Sequence, residues 1–371
     1  KHRLIPALTC LILFVSLPTA GAVGSAAPSI SAASAVLVDG DSGRVLYASE
    51  PHERRLIASV TKLMTALVAL ESGHRLDERV TILPEWTGVE GSSIYLRAGE
   101  KFTLETLLYG MLLRSGNDAA TAVAGYCGGT VEDFVDRMNA KAVQLGMADS
   151  HFTNPSGLND EGHYSSAYDL ALLARACLEQ ETLAQMVSTR SVTLEGRTFT
   201  NHNKLLWRYE GCIGLKTGYT EKAGRTLVSA ARRDGMTLIC VTLDAPNDWA
   251  DHAALLDYGF SGYQRELTAQ KGARAGILPV EGSLSPVVPV CFAADGAVAL
   301  APGETLSAEF VLEKGQLSAP VDRGTQVGEA VYSLNGQELL RVPLVTGEEI
   351  SCDRMEEHGF FARLWGRLTQ L

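Results

Sequence analysis

A serine and a lysine stand three residues apart in "ASVTKLMTALVAL" (58–70). A serine hydroxyl is a weak nucleophile until a neighbouring base takes its proton. A lysine can act as that base only if its pKa is lowered, by burial or by another cation close by. On a helix, Ser59 and Lys62 fall on one face. The Leu, Met, Val and Ala that follow Lys62 would bury its amine. The alternative is the start of an ordinary core helix, although such a helix has little reason to carry a lysine on its apolar side.

Two tripeptides further along bear on that choice. Ser115-Gly116-Asn117 is an S-x-N, and Lys216-Thr217-Gly218 is the chain's single K-T-G. Alone, the first reads as a loop turn and the second as a strand end. A second S-x-N, Ser333-Leu334-Asn335, is explained by the Asn335-Gly336 hairpin turn that follows it. No histidine chemistry competes: the chain has no G-x-S-x-G and no H-E-x-x-H. His163 and His202 read as surface or loop residues.

Taken together and in this order, at a helix start, an inter-helix loop and a strand, the three motifs resemble those of the penicillin-binding protein and serine β-lactamase superfamily. The segments "IASVTKLMTALVALE", "LLRSGNDAA", "NPSGLNDEGHYSSAYDLALLAR" and "GLKTGYTEKAGRTLVSAA" look like the D-alanyl-D-alanine carboxypeptidases, the low-molecular-weight penicillin-binding proteins. The likeness spans roughly residues 30–262. It implies removal of the terminal D-alanine from peptidoglycan stem peptides through a Ser59 acyl-enzyme, and covalent inhibition by β-lactams. Lys62 would be the proton acceptor. Ser115 would relay the proton to the leaving amine, and Asn117 would hold the substrate amide and position Lys62. Lys216 and Thr217 would bind the substrate carboxylate, and Gly218 would let the substrate lie along the strand. The backbone N–H groups of Ser59 and Tyr219 would form the oxyanion hole. Some relatives carry arginine where this chain has His202. No cofactor and no metal are implied.

The elements that must position these residues follow from patterning. "SAVLVDGDSGRVLYASE" reads as a hairpin turning at residues 40–43. Segments 103–115, 118–127, 131–146 and 166–180 show apolar spacings of three and four, as helices do. Strands return at "IGLKTGYT", "RTLVSAARR" and "MTLICVTLDA", the last two joined by Asp234-Gly235. Strands at both ends and helices between predict one antiparallel sheet packed on a helical region. From residue 264 short alternating runs with Gly and Pro predict a small all-β unit. The fold class is therefore α+β: a β-lactamase-like catalytic domain (27–262), an all-β C-terminal domain (264–350) and a C-terminal amphipathic helix (354–371).

The chain has 371 residues, 46% hydrophobic and 20% charged, an ordinary globular composition. Its formal net charge of −11 offers no basic footprint for nucleic acid. Lys1, His2 and Arg3, the apolar run to Leu17 and the small residues at Ala20-Gly21-Ala22 read as a signal peptide, residues 1–22. The run is shorter than the roughly 20 residues a membrane span needs. The protein is thus expected outside the cytoplasm. "FFARLWGRLTQL" places Phe360, Phe361, Leu364, Trp365, Leu368 and Leu371 on one helical arc. That stripe predicts peripheral attachment to the outer face of the cytoplasmic membrane; docking on the protein itself is the alternative. Six cysteines outside the signal show no paired spacing and are expected mostly as free, buried thiols.

Three other functions fit less well. A class A β-lactamase needs an E-x-x-L-N loop, and none lies between Ser115 and Lys216. A β-lactam sensor needs transmembrane helices. A structural cell-wall-binding protein would not require all three motifs.

Overall fold

The computed structural model describes residues 26–352. The expected signal peptide and C-terminal amphipathic helix lie outside the described residues.

The N-terminal hairpin forms as its turn predicts: β1 (Ser34–Asp39) pairs antiparallel with β2 (Val45–Ser49). A single 3-10 turn, Ala58–Thr61, then runs into α1 (Lys62–Leu70), in which Lys62 to Ala69 are all buried. Short strands β3 (Arg79–Thr81) and β4 (Lys101–Thr103) pair ahead of α2 (Leu104–Leu113). Helices α3 (Asn117–Gly128), α4 (Val131–Gln144), α5 (Ala167–Glu179) and α6 (Glu181–Ser188) follow. Thr103, Thr130 and Ser166 cap α2, α4 and α5, each side-chain oxygen accepting a backbone N–H of the first turn.

A hairpin of β5 (Ser191–Leu194) and β6 (Arg197–Thr200) and the short α7 (Leu205–Arg208) lead back to the main sheet. There β7 (Cys212–Thr220), β8 (Gly224–Arg233) and β9 (Met236–Leu243) complete an antiparallel sheet of order β2-β1-β9-β8-β7. β9 is buried along its whole length, because α5 packs on one face of the sheet and α8 (Asp248–Gly262) on the other. The first and last strands of this sheet in chain order, β1 and β9, are adjacent, and β7, which carries the K-T-G, stands at a sheet edge.

Beyond α8 the structure is all β. β10 (Gln264–Ala269) pairs with β13 (Gly296–Leu300). Strands β11 (Arg274–Glu281), β12 (Val287–Phe292), β14 (Ser307–Leu312), β15 (Leu317–Ser318), β16 (Gln326–Leu334) and β17 (Gln337–Thr346) form a second sheet. Asn335-Gly336 is its β16–β17 turn, so Ser333-Leu334-Asn335 is a hairpin feature. The second sheet has its own apolar cluster around Val288, Ala330 and Val342. The all-β part meets the first part of the molecule at the β1–β2 turn, through β13 and the loop after it. The Arg44 guanidinium donates to both carboxylate oxygens of Glu304, each at 2.6 Å, and to the Ala299 carbonyl at 2.7 Å. Asp39 accepts the Ala299 N–H at 3.0 Å.

Among the described residues the six cysteines are free. Cys127, Cys177 and Cys240 are buried, Cys212 and Cys291 are partly buried, and Cys352 is exposed.

Candidate active site

Ser59 does not sit on an α-helix. It lies in the 3-10 turn, and Lys62 is the first residue of α1. In a 3-10 turn residues i and i+3 eclipse one another, so this geometry aligns the pair more directly than the α-helix predicted from the spacing. Lys62 Nζ lies 2.9 Å from Ser59 Oγ. The residue is fully buried, and Asn117 Oδ1 at 2.7 Å and the Ser156 carbonyl at 2.5 Å complete its surroundings.

These partners serve either protonation state: an ammonium would donate to all three oxygens, and the neutral amine, the form that can take a proton, to two of them. Asn117 Nδ2 donates to the Glu90 carbonyl at 2.6 Å, which leaves Oδ1 facing Lys62. Asn117 Oδ1 and the Ser156 carbonyl can only accept. A neutral amine has two N–H donors and one lone pair. The two acceptors use both donors, and the lone pair is left for the Ser59 hydroxyl. Burial, and secondarily the Lys216 charge, hold the Lys62 pKa well below its ordinary value, while Asp118 opposes the shift.

Lys216 is almost as buried, at 1% exposure. Its Nζ donates to Ser115 Oγ at 3.2 Å and to the Thr217 carbonyl at 2.9 Å. Burial lowers its pKa to about 7. Ser115, on the α2–α3 loop, is thus joined to β7, as Asn117 is joined to α1. The three motifs meet in one cluster.

Gly218 lies where the fold itself leaves no room for a side chain. A Cβ there would lie 2.3 Å from Thr226 Oγ1 and 3.1 Å from the Ser59 nitrogen. The missing side chain makes room for β7 to press against the 3-10 turn that carries Ser59. Thr217 is half-buried and Tyr219 is exposed on the same edge strand.

Backbone strain gathers here. Ala58 (φ 47°), Ser115 (φ 60°) and Leu215 (φ 89°) are non-glycine residues with positive φ. Each is, or immediately precedes, a predicted site residue. Such conformations persist where the surrounding structure over-determines them, and they concentrate at functional sites.

Sequence reasoning missed four contributors. The Ser156 carbonyl reaches Lys62 from a loop that Asn154 shapes, its Oδ1 accepting the N–H groups of Ser156 (3.1 Å) and Gly157 (2.8 Å). Asn-Pro-Ser-Gly is a turn signature, but a backbone acceptor leaves no mark in a sequence. Asp118 is buried, accepting the N–H groups of Ile94 (3.0 Å) and Leu96 (2.9 Å) and the Ser93 hydroxyl (2.6 Å). Thr61 and His163 form a buried pair at 2.7 Å. His163 is a loop residue as expected, but not a surface one, being 1% exposed. His202 is an exposed loop residue. Partial desolvation of its ring, with the charges of Lys216 and Arg114, lowers its pKa to about 4.

A sheet with helices on both faces, a Ser-Lys pair at a helix entrance, a second serine on an inter-helix loop and a lysine on the edge strand define a serine acyl-transferase of the β-lactamase-like class. The family model for D-alanyl-D-alanine carboxypeptidases matches residues 22–247, and that for the C-terminal domain of penicillin-binding protein 5 matches residues 263–351. The chain is 32% identical to the D-alanyl-D-alanine carboxypeptidase DacF of Bacillus subtilis, covering 90% of this chain and 88% of DacF. It is 33% identical to DacC of Escherichia coli, covering 95% of this chain and 92% of DacC. Penicillin-binding protein 5 from Haemophilus influenzae superposes with a TM-score of 0.75 at 30% identity, over 88% of this chain and 100% of that one. The chain belongs to the D-alanyl-D-alanine carboxypeptidase family, the low-molecular-weight penicillin-binding proteins.

Proposed function

We propose that this chain removes the terminal D-alanine of peptidoglycan stem pentapeptides through an acyl-enzyme on Ser59, and that β-lactams acylate the same hydroxyl. The observation that carries the assignment is the arrangement around Lys62: two acceptors for its N–H groups, and Ser59 Oγ at 2.9 Å for its lone pair. A core lysine with no chemical role would gain nothing from a buried position that disfavours its charge.

The substrate's terminal carboxylate binds Lys216 and Thr217, and its backbone lies along the open edge of β7. Ser59 Oγ attacks the carbonyl between the two D-alanines while Lys62 Nζ takes the hydroxyl proton. The tetrahedral oxyanion is held by the N–H groups of Ser59 and Tyr219. Ser115 Oγ accepts from Lys216 Nζ, so its own hydrogen is available to donate to the departing D-alanine nitrogen. Its proton is replaced from Lys62 by way of Lys216 or solvent. The C–N bond breaks, D-alanine leaves, and water then hydrolyses the Ser59 ester. His202, neutral above its lowered pKa, offers a ring N–H near the carboxylate rather than a charge.

The division into a peptidase domain at 27–262 and an all-β domain at 264–350 is part of the same reading, supported by their separate apolar clusters. So are export by the signal at 1–22 and peripheral attachment to the outer face of the cytoplasmic membrane through 354–371. Among the described residues no helix is long and apolar enough to cross a membrane. The apolar arc of the tail supports attachment in the membrane surface. Deleting Gly359–Leu371 should release the protein from membranes with acylation intact; undiminished membrane association would sink the anchor.

The deciding test of the chemistry is release of free D-alanine from a defined pentapeptide, alongside labelling by fluorescent penicillin. Both should vanish in Ser59→Ala. A covalent adduct that survives in that variant would place the nucleophile elsewhere.

A further inference from the structure

One buried imidazole lies against the nucleophile turn and takes no part in the chemistry above. His163 Nδ1 is 3.1 Å from the Thr153 backbone N–H, which can only donate. Nδ1 is therefore the acceptor, and the proton of the neutral ring is on Nε2. Nε2 is 2.7 Å from Thr61 Oγ1, and Thr61 Oγ1 in turn donates to the Ala58 carbonyl at 2.9 Å. The chain of bonds has one direction: Thr153 N–H to His163, His163 to Thr61, Thr61 to Ala58. Burial pushes the His163 pKa down to about 4, so the neutral ring persists at neutral pH.

The end of that chain is the peptide that leads into the nucleophile. A trans peptide is planar, with its C=O and N–H pointing in opposite directions. Fixing the Ala58 carbonyl therefore fixes the direction of the Ser59 N–H. Ala58 needs fixing, because its φ of 47° is one that an alanine rarely adopts. Gly157 closes the clamp: a Cβ there would lie 1.8 Å from the Ala58 oxygen and 2.8 Å from Thr61 Oγ1. The preceding carbonyl, of Ile57, is held by Thr226 Oγ1 at 3.1 Å.

We propose that His163 is a positioning residue for the acylation step: through the Thr61 hydroxyl it holds the Ala58–Ser59 peptide so that the Ser59 N–H is aimed at the developing oxyanion. The inference rests on the reading of Ser59 as nucleophile and oxyanion donor.

Thr61→Val tests it, since it removes the hydroxyl at nearly constant volume. Expected is a fall of about 10- to 100-fold in the rate of acylation by fluorescent penicillin and in kcat for D-alanine release, with KM little changed. Affinity for a peptide boronic acid, a tetrahedral anion once bound, should fall by a similar factor. Thr61→Ser should restore all three. His163→Gln, whose amide can accept from Thr153 and donate to Thr61, should stay near wild type. His163→Leu should match Thr61→Val, and the double variant should be no slower than the slower single.

A folded Thr61→Val enzyme that acylates at the wild-type rate, or that loses melting temperature alone, overturns the proposal. So does a double variant whose losses multiply. Should His163→Leu fail to fold, Thr61→Val and Thr61→Ser decide the matter. Failure of the underlying reading looks different: wild type would give no adduct, or Ser59→Ala would keep one.

Discussion

The Ser156 carbonyl oxygen lies 2.5 Å from Lys62 Nζ, joining a turn of the 153–163 loop to the first residue of a helix 94 positions earlier. With Asn117 it occupies the two hydrogens that a neutral lysine has, and so fixes which way the lone pair points. Lys62→Arg is therefore expected to be as damaging as Lys62→Ala. A guanidinium stays protonated and cannot accept from Ser59. Both variants should lose about 10²- to 10⁴-fold in penicillin acylation rate, the usual worth of a positioned base. Stopped-flow labelling checks this, and appreciable rescue by arginine would contradict it.

The two lysines must hold opposite states, Lys62 neutral and Lys216 charged. Activity should rise with pH as Lys62 deprotonates, and fall as Lys216 loses its proton near pH 7. The kcat/KM profile reports the free enzyme and should be bell-shaped, with that alkaline limb. Lys216→Arg should abolish the alkaline limb in whatever activity remains, because the guanidinium keeps its charge. Removing the charge, as in Lys216→Met, should move the acid limb up in pH, since Lys216 helps to depress the Lys62 pKa. Stability runs the other way from activity. Between about 7 and an unfolded lysine value of about 10.4, the unfolded chain binds more protons than the folded one, so this source makes stability rise with pH across that window. Denaturant midpoints at several pH values check the slope.

Asp118→Asn should have two separable effects. Three groups of the 93–96 segment now donate to a buried carboxylate, and weakening them should cost about 1–3 kcal/mol in stability. Asp118 also raises the Lys62 pKa, so its removal should move the acid limb of acylation to lower pH. A stability loss with an unmoved limb would show that Asp118 acts on the loop alone.

Arg44→Ala should loosen the junction with the all-β part, since this one side chain, only 12% exposed, makes the Glu304 pair and the Ala299 bond. Faster limited proteolysis near residues 262–264 is expected, with penicillin acylation unchanged. A slower acylation would mean that the β part supports the site as well.

Much of the fold was legible in local signals along the chain. Alternation of apolar residues and the Gly40–Gly43, Asp234-Gly235 and Asn335-Gly336 turns specified the hairpins, because those signals are local. The order of Ser59-Lys62, Ser115-Asn117 and Lys216-Thr217-Gly218 specified the family, because reacting side chains must be of set chemical types. How those groups are held is set by contacts between distant parts of the chain. The Ser156 carbonyl, the strained Ala58 peptide and the chain from His163 through Thr61 belong to backbone direction and to long-range packing, which no residue type encodes. His163 shows the difference best: nothing adjacent to it in sequence marks it as buried, and only the folding of the 153–163 loop onto α1 takes it out of water. Gly218 is the same case in reverse, a residue named from its motif whose absent side chain is explained by Thr226 and Ser59, two elements that meet it only in the folded chain.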